Sequence, residues 1–199
     1  MIREAHQRVG AACGAIFAVA LFAGASAGGY AGLVVGTAAL TLFVPFLATL
    51  TSVLRCADGG SWLSTTAFAA GLAAIVIKLG SDVPEIAARG LTPDSPIDKA
   101  FVSLGDAGFI VAMYPLAVFF AATGALILAS GLLPRWLGVG ALVTAAALAV
   151  NACFIDASFG PAFLLYLAWT LVASVVLVRT PGLSTRVVPA TGAAGAVTG

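Results

Sequence analysis

From Val9 to Leu54 the chain is apolar almost without interruption. As one helix that run would measure about 69 Å at 1.5 Å per residue, more than twice the hydrocarbon thickness of a bilayer, so it must fold back. Gly28 and Gly29 supply two positions without side chains for a tight turn, and Tyr30 can sit at headgroup level. The pattern therefore predicts helices over 9–27 and 31–54, with Pro45 kinking the second. Arg55 to Ser61 reads as a polar loop. Ser61 is placed to cap a third helix over 62–80, and Trp62 lies at its interface.

The one long polar run follows, Ser81 to Asp106, which holds five of the chain's eight acidic residues. Inside it, Ser95-Pro96-Ile97-Asp98 combines an N-cap serine, proline at the first helical position and an early acid, so a helix should begin on the membrane surface. Its spanning part is expected over 105–130, with Pro115 inside. A turn at Gly131 to Arg135 leads to a fifth helix over 136–155, and a turn at Asp156 to Pro161 leads to a sixth over 162–178. Residues 179–199, rich in Gly, Ala, Thr and Pro, are expected to form a mobile cytoplasmic tail. The fold class that follows is all-α, a polytopic integral membrane protein of six transmembrane helices forming one bundle over 1–178. No stretch shows the short alternation of a membrane-spanning barrel strand.

Composition agrees. The chain is 61% hydrophobic and 9% charged, far below the roughly one quarter charged that soluble domains carry. The first apolar run ends in Ala25-Ser26-Ala27, which matches a signal-peptide cleavage pattern. The run is long for the apolar core of a signal, which favours a retained first helix; the orientation of the other helices is the same either way. Six spans put both termini on one side. With the termini cytoplasmic, that side carries Arg3, Arg8, Arg55, Arg135, Arg179 and Arg186 against Glu4 and Asp58. The other side carries Lys78, Arg89 and Lys99 against six acids. The excess of arginine on the inside is the expected sense, which places the acidic stretch outside.

The scattered basic residues form no stripe for a phosphate backbone, so nucleic acid is not an expected partner. Cys13, Cys56 and Cys153 have no ligand-like spacing, and His6 is the single histidine, so no metal and no other cofactor is expected. Nucleotide-binding and hydrolase motifs are missing from the positions where they would carry meaning.

The candidate chemistry lies at the outer helix ends. Asp82 and Glu85 follow the third helix, Asp106 heads the fourth and Asp156 ends the fifth, so separate helix ends deliver carboxylates to one depth. An acid near hydrocarbon tends to be protonated or paired, which is what a general acid requires, although solvated helix ends and caps explain such positions equally well. Lys78 is the one basic residue inside a predicted span. It shares a helical face with Asp82 if the helix persists beyond Gly80, and its stem can otherwise snorkel to the headgroups. Asn151 is a buried amide that needs a partner, ordinarily an interhelical hydrogen bond. Tyr114, Tyr166 and Trp169 can line an apolar cavity or simply pack. Gly10, Gly14, Gly24, Gly28, Gly32 and Gly36 recur at small-xxx-small spacing, so helices one and two pack closely on something, within the chain or in a homo- or hetero-oligomer.

At Leu133-Pro134-Arg135-Trp136-Leu137-Gly138 and the closing Phe163 to Val172, the last quarter of the chain resembles small multi-pass membrane proteins of unknown function from actinobacteria. That resemblance implies a multi-helix membrane protein and a high-GC bacterial host, and it brings no catalytic residues.

Two functions are expected. In the first, an apolar pocket between helices three to six takes a lipophilic small molecule from the bilayer. As an enzyme this would be an acid–base cyclase or isomerase in the style of small helical membrane terpene cyclases. Asp106, Asp156, Glu85 and Asp82 would supply acid, Lys78 and Asn151 would tune it, and Tyr114, Tyr166 and Trp169 would face a developing cation. The alternative is a non-catalytic membrane subunit: a transporter's substrate-binding component, an immunity protein or an accessory protein.

Overall fold

The computed structural model describes residues 2–57, 62–88, 91–92, 95–154 and 160–180. They form six helices: α1 (Ile2–Ala27), α2 (Gly29–Ala57), α3 (Trp62–Ala87), α4 (Pro96–Ser130), α5 (Arg135–Cys153) and α6 (Pro161–Arg179). All six are long and apolar enough to cross a membrane. In hydrocarbon a backbone must satisfy its own hydrogen bonds, which is why continuous apolar sequence becomes helix. Phe22, Val34, Val76, Val118, Val143 and Leu164, one from each helix, are exposed on the outside of the bundle, as expected of a surface solvated by lipid. The residues expected to form a tail beyond 180, and the expected cap Ser61, lie outside the described residues.

Each helix packs on its neighbours in sequence, and α6 closes the ring on α1. Gln7 marks that closure: its Nε2 donates to the carbonyls of Leu177, at 3.3 Å, and Thr180, at 3.1 Å, so the start of α1 stands beside the end of α6. These are carbonyls that a helix end leaves without partners of its own. Across the interior α2 also meets α4. There Phe17, Phe43, Phe46, Phe119, Phe120, Tyr166 and Trp169 form a continuous aromatic core, with Phe43 4.8 Å from Phe17 and Phe120 4.9 Å from Trp169 between ring centroids.

The turn between α1 and α2 falls at Gly28 and Gly29, both left-handed at φ 61° and 57°, a region that side chains disfavour. The glycine spacing is used inside the chain. A methyl on Gly24 would stand 2.8 Å from the Gly32 carbonyl and 3.0 Å from the Gly36 nitrogen, and one on Gly32 would run into the Gly24 carbonyl. Gly10 faces Thr49 and Pro45 of α2, and Gly14 faces Phe46 and Ser174.

Three helices are longer than the hydropathy profile predicts, and α2 runs on through Arg55 to Ala57, where a polar loop was expected. α1 already begins in the polar segment ahead of Val9, where Gln7 holds α6. α3 continues past Gly80, where a drop in hydropathy predicted its end, through Pro84 to Ala87. The carbonyl that a helical proline ring crowds is four residues back, and here it belongs to Gly80. Packing holds the extension, because Ser81 and Glu85 lie on Gly108 and Gly105 of α4. Ser95 caps α4 in the manner predicted, its side chain accepting from the Asp98 nitrogen at 3.1 Å, and Gly131 ends that helix at φ 62°.

The glycine contacts separate two substitutions that look alike in sequence. Gly32→Ala is expected to destabilise the bundle by about 1–3 kcal/mol through backbone overpacking. Gly36→Ala, whose methyl meets only Leu21 Cδ1 at 3.6 Å, should be neutral or slightly stabilising. Unfolding by SDS titration in mixed micelles measures both, and equal effects would contradict the close approach of α1 and α2.

Candidate functional site

The extension of α3 places Lys78 and Asp82 one turn apart on a face turned toward α2 and α4. Asp82 is 2% exposed. Lys78 forms a salt bridge with its Oδ1, and Thr37 of α2 donates to its Oδ2 at 2.7 Å. Both carboxylate oxygens are thus engaged, one by a charge from the same helix and one by a hydroxyl from the next. Lys78 Nζ also stands 5.6 Å from the centre of the Phe109 ring of α4, within cation–π range. Ser81 Oγ turns back to the Lys78 carbonyl at 2.8 Å.

Beneath this pair lies a cavity of about 400 Å³. All six helices border it, where the sequence predicted a pocket between helices three to six. α1 and α2 contribute Leu21, Gly24, Gly29, Gly32, Gly36 and Thr37. α3 contributes Lys78, Asp82 and Glu85, and α4 contributes Asp106, Phe109 and Met113. Leu148 of α5 and Phe163 and Tyr166 of α6 make the floor. The difference follows from the glycines: where α1 and α2 carry no side chains toward the interior, space opens between them and α3 and α4. Its volume lies within the range of small-molecule sites, and its walls are apolar apart from a few polar groups. A more open concavity beside it, an acidic vestibule, shares Gly29, Leu33, Glu85 and Asp106 and adds Tyr30, Leu91 and Asp98.

Of the expected site residues, Lys78, Asp82, Glu85, Asp106 and Tyr166 border this one cavity. Glu85 is half-buried against Gly105. It lies within electrostatic reach of Lys78, Asp82 and Asp106. Asp106 is exposed at the mouth. Tyr166, 5% exposed, lies among Phe17, Phe43, Phe120 and Phe163.

Three other candidates lie away from the lining. Tyr114 sits on the outer surface and donates to the Ala152 carbonyl at 3.2 Å. Asn151 Nδ2 donates to Met113 Sδ at 3.1 Å, and its Oδ1 packs against Gly160. Trp169 Nε1 donates to the Leu137 carbonyl at 2.9 Å. Each joins a pair of helices. Asp156 lies outside the described residues.

Sequence reasoning missed Thr37, since one threonine in an apolar helix carries no signal until its neighbour is known. It also read Gly29 as a turn residue and Gly36 as a packing residue, although both border the cavity. Among the described residues no group of three or more His, Cys, Asp or Glu side chains is arranged to share a metal ion. No protein-family model, curated protein or solved structure matches the chain, so the chemistry rests on this geometry.

Removing Lys78 should leave Asp82 as an uncompensated buried charge. Lys78→Met is expected to destabilise the protein by about 3 kcal/mol, the low end for a broken buried pair because Lys78 is itself partly exposed. The double variant Lys78→Met with Asp82→Leu should recover much of that loss. Unfolding titrations of both decide the matter: a double variant no more stable than the single one would show that the pair does not carry the effect.

Proposed function

We propose that this is a multi-pass protein of a bacterial plasma membrane, with both termini cytoplasmic, that binds a lipophilic small molecule in the six-helix cavity from the outer side. The observation that carries the reading is the meeting of Lys78, Asp82, Glu85, Asp106 and Tyr166 on one apolar cavity. The orientation is supported by the arginines at the opposite end and by the mouth lying at the α1–α2 turn and the α3–α4 connection.

Binding fits the cavity better than acid-catalysed cyclisation. A proton donor to an alkene or epoxide needs a protonated carboxyl against the apolar wall. Asp82 is held by Lys78 and Thr37 as an acceptor, Asp106 is exposed, and Glu85 is half-buried at the mouth within electrostatic reach of Lys78. The paired Lys78 and Asp82 instead form a fixed polar rim over an apolar chamber, an arrangement suited to orienting a guest. A binding component, alone or within a larger membrane complex, follows from this.

The test is native mass spectrometry of the full chain released from mild detergent. A lipophilic molecule should co-purify at about one per chain with the native protein, as a single small-molecule site requires. It should be lost from Ala112→Phe and Ala74→Leu, which fill the cavity from α4 and α3, while both variants keep the native elution profile and melting temperature. Retention of the same molecule in both filled variants would place it on the lipid-facing surface and refute the proposal.

A further inference from the structure

We infer that the guest of this cavity is a cationic amphiphile, a lipophilic amine or quaternary ammonium whose apolar body fills the chamber while its charged head rests between Glu85 and Asp106. The inference rests on the reading of the cavity as a lipophilic binding site.

The charge of the lining carries it. Among the described residues one base, Lys78, borders the cavity against three acids, Asp82, Glu85 and Asp106. Lys78 is committed to Asp82 and lies over Phe109. Glu85 and Asp106 make no salt bridge with a described residue. They come from facing helices at the same level, since the Glu85 carboxyl packs against Gly105, the residue before Asp106. Both also border the vestibule, where Asp98 adds a third acid on the approach.

An anionic head between Glu85 and Asp106 would be repelled by both, and a neutral head would leave the two carboxylates without a new partner as it displaced their water. A cation alone converts them into partners, and it would be drawn in by the field of the vestibule.

The chamber below supplies the second half of the match. Phe43, Phe109 and Phe163 present aromatic surface to the guest. The floor residue Tyr166, 5% exposed, has a hydroxyl with no hydrogen-bond partner among the described residues.

The experiment uses the full chain in phosphatidylcholine nanodiscs, with empty discs giving the background of membrane partitioning. Three radiolabelled probes share one dodecyl chain and differ in the head: trimethylammonium, hydroxyl or sulfate. Trimethylammonium is expected to bind saturably and at least about tenfold tighter than the other two. Glu85→Gln with Asp106→Asn should weaken it by about tenfold, and Ala112→Phe should abolish it.

If the alcohol or the sulfate binds saturably with equal or greater affinity and Ala112→Phe removes it, the cationic class is wrong and the binding cavity stands. The cationic class is equally wrong if the acid-neutralised variant, folded by its melting temperature, keeps full affinity for trimethylammonium. If no probe binds above the empty discs, both the inference and the binding reading fall.

Discussion

A carboxylate surrounded by apolar helices is costly unless charge and hydrogen bonds replace its water, and Asp82 meets that demand with two partners. Lys78 reaches it only because α3 stays helical past Gly80, which brings the two to one face. Thr37 reaches it only because α2 lies alongside. Satisfying this one charge therefore links the length of α3 to its placement against α2, and it consumes the one basic side chain that borders the cavity. Glu85 and Asp106 further out make no salt bridge with a described residue, and the acidity of the mouth follows from that.

Close helix approach does the rest. Lipid is as apolar as a leucine side chain, so bundles in membranes depend on contact and shape rather than on burial from water. Here glycines let backbones meet at Gly24 with Gly32, and at Gly124 with Gly138, where a methyl on Gly124 would stand 2.8 Å from the partner carbonyl. Gly105 and Gly108 seat Glu85 and Ser81 in the same way. The aromatic core fills the middle of the ring from α1, α2, α4 and α6. At the end where α1 turns into α2, the missing side chains of Gly29 and Gly36 leave space instead. One residue type thus closes the bundle at some levels and opens it at another.

The site candidates divide along the same line. Tyr114, Asn151 and Trp169 carry polar atoms at helical positions where a cavity was conceivable, yet each donates across a helix interface. Lys78, Asp82, Glu85 and Asp106 were legible because ionisable groups near hydrocarbon are rare enough to stand out. Thr37 was not, since a threonine in an apolar helix satisfies itself on its own backbone as readily as it reaches a neighbour, as Thr51, Thr144 and Thr170 do here.

The sequence by itself determined the number of helices, because a bilayer sets their length and leaves backbone amides no partners outside the helix. It also determined the positions of the glycine turn and of the Ser95 cap, both of which follow from local backbone chemistry. Tertiary structure alone decided that α3 runs on to Ala87, that the glycine faces meet within the chain, and that the cavity borders all six helices. Those outcomes depend on which faces of separate helices come together. Hydropathy averages over a helix's circumference and cannot carry that information.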